Sequence, residues 1–140
     1  MKYWIVIGLL LGILSCTDKS IAETDLHLLN GYWEITTVEF ADGTKKEYTV
    51  NTTIDFIQLN QFKGIKSKVQ PKLDGTYTST KDVEPFSILK KDDEFLLQYK
   101  NGLNQWTEQL KQLDSLNFSI KDKEGITYTY KRYEPINIIP

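Results

Sequence analysis

The links between apolar runs in the C-terminal half of this 140-residue chain are too short for anything but antiparallel neighbours. Runs at Glu84–Lys90, Glu94–Lys100, Leu103–Leu113, Leu116–Lys121 and Ile126–Tyr133 are separated by only two to four residues. Those links are Lys91-Asp92-Asp93, Asn101-Gly102, Asp114-Ser115 and Asp122-Lys123-Glu124-Gly125. Asn, Asp and Gly tolerate the positive φ of tight hairpins. Within the runs, apolar residues alternate with polar ones: Phe86 and Ile88; Phe95, Leu97 and Tyr99; Leu116, Phe118 and Ile120; Ile126, Tyr128 and Tyr130. One face of each strand is therefore expected to be buried and the other wet.

The same pattern extends upstream through Tyr32–Phe40, Lys46–Val50, Thr52–Leu59, Gln61–Gln70 and Gly75–Thr80. These runs are rich in β-branched and aromatic residues, and no helical stripe of useful length interrupts them. The fold class is all-β. An open meander of eight to ten strands would leave long unpaired edges, which closure into an up-and-down barrel removes. A two-layer sandwich satisfies the same alternation, but no long crossover link is present to build one. With 140 residues the chain has room for one such domain.

The first sixteen residues carry a different signal. Lys2 precedes twelve uncharged residues, Tyr3 to Leu14, a length too short to span a bilayer and right for the apolar core of a signal peptide. Ile13-Leu14-Ser15-Cys16 follows, then the polar Thr17-Asp18-Lys19-Ser20. This order resembles the lipobox of bacterial lipoproteins, although Leu14 is bulkier than the commonest residue at its position. The resemblance implies cleavage before Cys16 and acyl chains on that residue, anchoring the protein to a membrane of the cell envelope. The outer membrane is the expected site, with neither leaflet favoured. An ordinary secretory peptide or an uncleaved anchor is the alternative. The expected divisions are a signal peptide at 1–15, a flexible tether at 16–27, a barrel at 28–133 and a tail at 134–140.

Two further places stand out. Gly31-Tyr32-Trp33 opens the first strand, and Tyr128-Thr129-Tyr130-Lys131-Arg132 ends the last. With the lipobox, the chain length and the meander, the Gly-x-Trp start and terminal Arg resemble the lipocalin-like lipoproteins of Bacteroidetes-type bacteria. The Thr-Asp-Tyr signature of larger lipocalins is absent. That resemblance implies a barrel whose base is closed by Gly31, Trp33 and Arg132. Strand parity agrees: Trp33 shares a face with Ile35, and Arg132 with Tyr128 and Tyr130. Arg132 is the only Arg beside sixteen Lys, and a guanidinium stacks on an indole as an ammonium cannot.

Little else points to chemistry. One His and one Cys make neither a catalytic triad nor a zinc site, and no Gly-rich phosphate loop is present. His27 reads as solvated or capping, and the carboxylates as turn or surface groups, with the surroundings of Asp55 undecided. No catalytic residue, metal or cofactor is expected. A net charge of −2 argues against a nucleic-acid partner. Lys63, Lys66, Lys68 and Lys72 read as a solvated, lysine-blunted edge strand. The remaining candidate is the aromatic set Phe56, Phe86, Phe95, Tyr99, Trp106, Phe118, Tyr128 and Tyr130. These residues either fill a small barrel or line a pocket for one apolar or amphipathic ligand. The expected function is non-catalytic binding of such a ligand. The alternative is an envelope interaction or inhibitor module with a solid core and an unidentified protein partner.

Overall fold

Short turns and alternating strands close on themselves in the computed structural model, which describes residues 20–135. Nine antiparallel strands are present among these residues: β1 (Gly31–Glu39), β2 (Lys45–Glu47), β3 (Ile54–Asn60), β4 (Lys63–Pro71), β5 (Tyr77–Lys91), β6 (Glu94–Asn101), β7 (Asn104–Leu113), β8 (Asn117–Lys121) and β9 (Thr127–Arg132). From β3 to β9 each strand pairs with the next in sequence, and β9 returns to β1. The closing register sets Trp33 opposite Arg132, Ile35 opposite Tyr130 and Val38 opposite Tyr128, with a bulge between Ile35 and Thr37. The other edge of β1 is shared. Its lower part, Gly31–Trp33, pairs with β3, and its upper part, Thr37–Glu39, with the short β2. The result is a closed barrel of eight strands with β2 as an outer flap, an all-β architecture without a long open edge.

The turns follow local chemistry. Asp92 and Asp93 both take positive φ, 51° and 62°, which gives the β5–β6 hairpin the twist of its flanking strands. Asp42 and Asp74 each accept the backbone N–H and hydroxyl of a Thr two residues on, Thr44 and Thr76. Two boundaries differ from the expected ones. Gly75–Thr80 and Glu84–Lys90 belong to one 15-residue strand, β5. The chain passes through Lys81-Asp82-Val83 by a register shift against β4, between Ser67 and Val69, so the charged stretch bends the ladder without ending it. Leu116 precedes β8 and is exposed, so it does not join the buried row of Phe118 and Ile120.

The segment expected to be a free tether at 16–27 is structured at its end. Glu23–Leu29 form a 3-10 helix that packs Leu26 and Leu29 against the barrel core. Leu29 is fully buried, and such a side chain contributes about 1.5–3 kcal/mol by leaving water. The helix is the barrel's lower plug, and its apolar side chains are what overrides the polar tether composition. Cys16 and the whole apolar run before it lie outside the described residues, as does the end of the expected 134–140 tail.

Candidate functional site

The base of the barrel is built around Trp33. Its indole N–H donates to the Leu29 carbonyl at 2.8 Å, tying β1 to the helix plug. The Arg132 guanidinium lies over the indole, 3.8 Å from the ring centroid. Its three nitrogens donate to the carbonyls of Ser115 (3.1 Å), Asn30 (2.5 Å) and Leu28 (2.9 Å). One side chain thus joins the β7–β8 turn, the helix end and the start of β1. Gly31 makes this possible. Its φ of +123° disfavours any L side chain, and a Cβ there would sit 2.5 Å from Arg132 Nη1. Gly31, Trp33 and Arg132 are therefore brought together in one closed unit.

Above the base the interior is filled by its own rings. Phe118 meets Trp33 edge-on at 4.7 Å and stacks on Tyr130 at 4.6 Å. Phe86 packs on Tyr99 at 5.5 Å, and Tyr99 stacks on Trp106 at 5.1 Å. Phe86 also lies on Gly64, where a Cβ would come within 2.6 Å of the ring. Phe95, Leu97, Leu110, Ile120 and Ile57 complete this core. Ile57, Phe86, Phe95, Leu97, Tyr99, Leu110, Phe118 and Ile120 are each no more than 4 % exposed, whereas Tyr130 is 7 % exposed and Trp106 only partly buried.

Of the eight aromatic candidates, seven face inward: Phe86, Phe95, Tyr99, Trp106, Phe118, Tyr128 and Tyr130. Phe56 does not. It stacks on Tyr32 at 4.5 Å, Tyr32 stacks on Tyr77 at 4.1 Å, and Tyr77 meets Tyr133 edge-on, forming an aromatic row on the outer wall. The inward face of β3 is instead Asp55, Ile57 and Leu59, because Ile57 and Leu59 pack with the core.

That reversal places charge inside the barrel. Asp55 is 2 % exposed, and its Oδ1 lies 2.5 Å from Lys68 Nζ on the facing position of β4. Lys66, two residues earlier, is paired with Ile57 and Glu84. Its ammonium sits 3.7 Å from Glu84 Oε2 and 4.9 Å above the Tyr99 ring. β4 is an interior strand bonded on both edges, not a solvated edge, and two of its lysines serve these inner carboxylates. Glu108 is the third acid. It lies between Trp106 and Leu110 on the inward row of β7, opposite Leu97, and its Oε2 is buried without a hydrogen-bond partner among the described residues. Burial pushes its carboxyl above the usual range, with the Lys66 charge and the Tyr99 hydroxyl acting the other way. Tyr99 and Tyr130 are raised by burial and then by facing acids, so both phenols remain neutral.

Of this polar group the sequence left Asp55 undecided, read Lys66 and Lys68 as edge lysines, and did not single out Glu84 or Glu108. The signal for Glu108 was its spacing of two from both Trp106 and Leu110. His27 is exposed, its Nδ1 2.7 Å from the Thr24 carbonyl. Among the described residues no cluster of three His, Cys, Asp or Glu side chains is arranged to hold a metal.

No protein-family model matches the chain, and no curated protein matches it. Among solved structures it is similar to a lipocalin-like protein from Bacteroides uniformis, at 15 % identity and a TM-score of 0.47, over 76 % of this chain and 99 % of that one. An uncharacterized protein from Bacteroides eggerthii is similar at 14 % identity and 0.47, over 75 % and 99 %. Lobster apocrustacyanin A1 is similar at 8 % identity and 0.46, over 82 % and 66 %.

Proposed function

We propose that this chain is a lipid-anchored envelope protein that binds a small amphipathic molecule, without catalysis, in the mouth half of its barrel. One observation carries the reading. Trp106, Glu108, Tyr128 and Lys66 point inward but are only partly buried, whereas Leu29, Trp33 and Phe95 are sealed. These four mark the less tightly covered half of an interior whose floor is solid. Aromatic walls and a few convergent polar groups are the usual make-up of a small-molecule site. Ligand contact falls to Trp106 and Tyr128 at the rim, while Phe86, Phe95, Tyr99, Phe118 and Tyr130 support them. Gly31, Trp33 and Arg132 hold the floor. The anchor is Cys16, which resembles the acylated Cys of a lipobox.

The test has two arms. Mass spectrometry of material extracted from the purified chain should identify a bound small amphiphile, and Trp106→Ala should lose it while Phe56→Ala keeps it. Retention of the same molecule by Trp106→Ala would reject the mouth as its site. Labelled palmitate should enter the wild-type chain and not Cys16→Ser, and incorporation into both would remove Cys16 as the anchor.

A second reading, an interaction module with a solid core, is favoured by the outer wall. The Tyr32, Phe56, Tyr77 and Tyr133 row stands beside a cleft of about 390 Å³ that includes the exposed Val50 and Leu73. Cross-linking from Leu73 to one defined envelope protein, with no small molecule extracted, would favour it.

A further inference from the structure

Outside the barrel interior, a cleft of about 390 Å³ opens between the β2–β3 link (residues 49–52), the β4–β5 turn at Leu73, Glu34 of β1 and the chain leaving β9 (residues 133–135). We infer that this cleft is a second binding site, independent of the barrel mouth, and that its ligand is a short neutral saccharide stacked on Tyr133. Its volume falls within the usual range of small-molecule sites. Its walls are fixed to the barrel. The Tyr48 N–H donates to the Thr36 carbonyl at 2.9 Å, and Asn51 Nδ2 donates to the Ile35 carbonyl at 3.0 Å, so the link is held against β1. Tyr77 stacks on Tyr32 at 4.1 Å, which brings the β4–β5 hairpin to the same wall. The Tyr133 N–H donates to the Tyr32 carbonyl at 2.9 Å. The Tyr133 ring meets Tyr77 edge-on, which leaves at least one face of Tyr133 clear of its neighbour.

The lining selects against ions. Two acids, Glu34 and Glu134, are offset by Lys72 in the lining and by Lys131, whose ammonium lies 2.9 Å from Glu34 Oε1. A charged ligand would meet no uncompensated opposite charge and would still lose its own water. What the cleft offers is neutral hydrogen-bonding capacity beside apolar surface. Among the described residues the hydroxyls of Thr49, Thr52 and Tyr133 and the amide oxygen of Asn51 make no hydrogen bond, and Val50 and Leu73 are each 83 % exposed. A saccharide has the same duality: hydroxyls around its rim and C–H groups across its faces, the latter drawn to the negative face of an aromatic ring. A wholly apolar occupant would strip the polar groups of water at about 1–3 kcal/mol for each one left unpaired. A proline-rich peptide docks in grooves between aromatic rings, whereas Phe56, Tyr32 and Tyr77 close on one another at 4.5 and 4.1 Å.

Cellobiose, lactose, mannobiose and chitobiose would each be titrated at pH 7.5 into the detergent-solubilised full chain, with the tyrosine ring and tryptophan indole resonances as readout. At least one is expected to shift the Tyr133 ring saturably while the Trp106 indole N–H stays in place. Its analogue with a glucuronate ring in place of one sugar should bind at least tenfold more weakly. Tyr133→Leu, which keeps apolar bulk without the ring, should weaken the neutral disaccharide at least tenfold. No response at Tyr133 to any of the four overturns the site. A response at Trp106 instead also overturns it and leaves mouth-half binding standing. Equal binding of the acidic analogue overturns the neutral class, and unchanged affinity in Tyr133→Leu overturns the stacking platform. The wild-type resonance shifts are decisive if the variant does not fold. A free sugar and one borne on a lipid share this chemistry: retention by phosphatidylcholine vesicles only when they carry a glucosyl lipid marks the second source, and response to the free disaccharide without retention marks the first.

Discussion

Replacing Arg132 by Lys keeps the charge at the barrel floor and removes the plane. From the structure, the loss has three parts. Stacking over Trp33 contributes about 0.5–2 kcal/mol. The part-buried hydrogen bond to Leu28 contributes about 1.5–3 kcal/mol as a bond to a charged group. The bonds to Asn30 and Ser115 are exposed, so water replaces much of what they supply. A lysine ammonium recovers at most one of the three. The expected net loss is therefore about 2–3 kcal/mol, read as a lower urea midpoint at unchanged slope, with the buried Trp33 as the fluorescent reporter. Gly31→Ala should lose a comparable amount, from its positive φ and from the Cβ pressed on Arg132 Nη1. Part of that second loss exists only while the guanidinium is there. The double variant should thus be less destabilised than the sum of the two by about 1 kcal/mol, well beyond the roughly 0.3–0.5 kcal/mol within which independent sites add. A Lys variant within 0.5 kcal/mol of wild type on the scale of ordinary surface changes (about ±0.5 kcal/mol), or strict additivity of the pair, would refute the view that one planar cation locks the floor.

Leu29→Ala should destabilise the barrel by about 3 kcal/mol in the same denaturation assay, as a fully buried leucine does, and a change near zero would return Glu23–Leu29 to the status of a tether. Lys68→Met strands the Asp55 carboxylate inside the wall and should lose about 2 kcal/mol, below the usual figure for a buried pair because Lys68 is half exposed; adding Asp55→Asn should restore most of it, and no restoration would deny the pairing. Glu108 is raised in the folded chain, so the fold binds its proton more tightly than the unfolded chain does. Its contribution is complete below the ordinary carboxylate value of 4.5 and is lost as pH rises through the higher folded value. Glu108→Gln should accordingly gain stability relative to wild type at pH 7.5, with the gap narrowing at pH 4.5, and a gap independent of pH would show that the carboxyl is not buried as described.

Why some strands were legible in the sequence and others misleading comes down to how many apolar faces each one has. β6, β8 and β9 carry apolar residues on one parity only, so Phe95-Leu97-Tyr99 or Phe118-Ile120 could face only the core. β3 has two competing sets, Ile54 with Phe56 and Ile57 with Leu59. The surroundings of Asp55 stayed undecided and Phe56 was read as inward, since a charge on the inner face looks forbidden until Lys68 is seen across from it. A single strand read alone cannot reveal a neutralising partner thirteen residues away. The lysines of β4 misled for the same reason. The spacing of two between Lys66 and Lys68 was visible, but that their strand is bonded on both edges was a property of the whole ring. The floor was legible because its parts are chemically unusual in sequence: one Gly-x-Trp and one Arg. Its actual fastening through the carbonyls of Leu28, Asn30 and Ser115 was not, because backbone oxygens leave no trace in composition.

The plug helix begins only seven residues after Cys16, a stretch that reaches at most about 25 Å when fully extended. A barrel moored there would ride keel-down, its stoppered end toward the headgroups and its rim, with the projecting Leu73 and Leu103 turns, toward the water beyond. Any ligand of a barrel so anchored would then arrive from the aqueous compartment or from a facing surface, and the lipid holding such an anchor would be the one place it could not easily draw from.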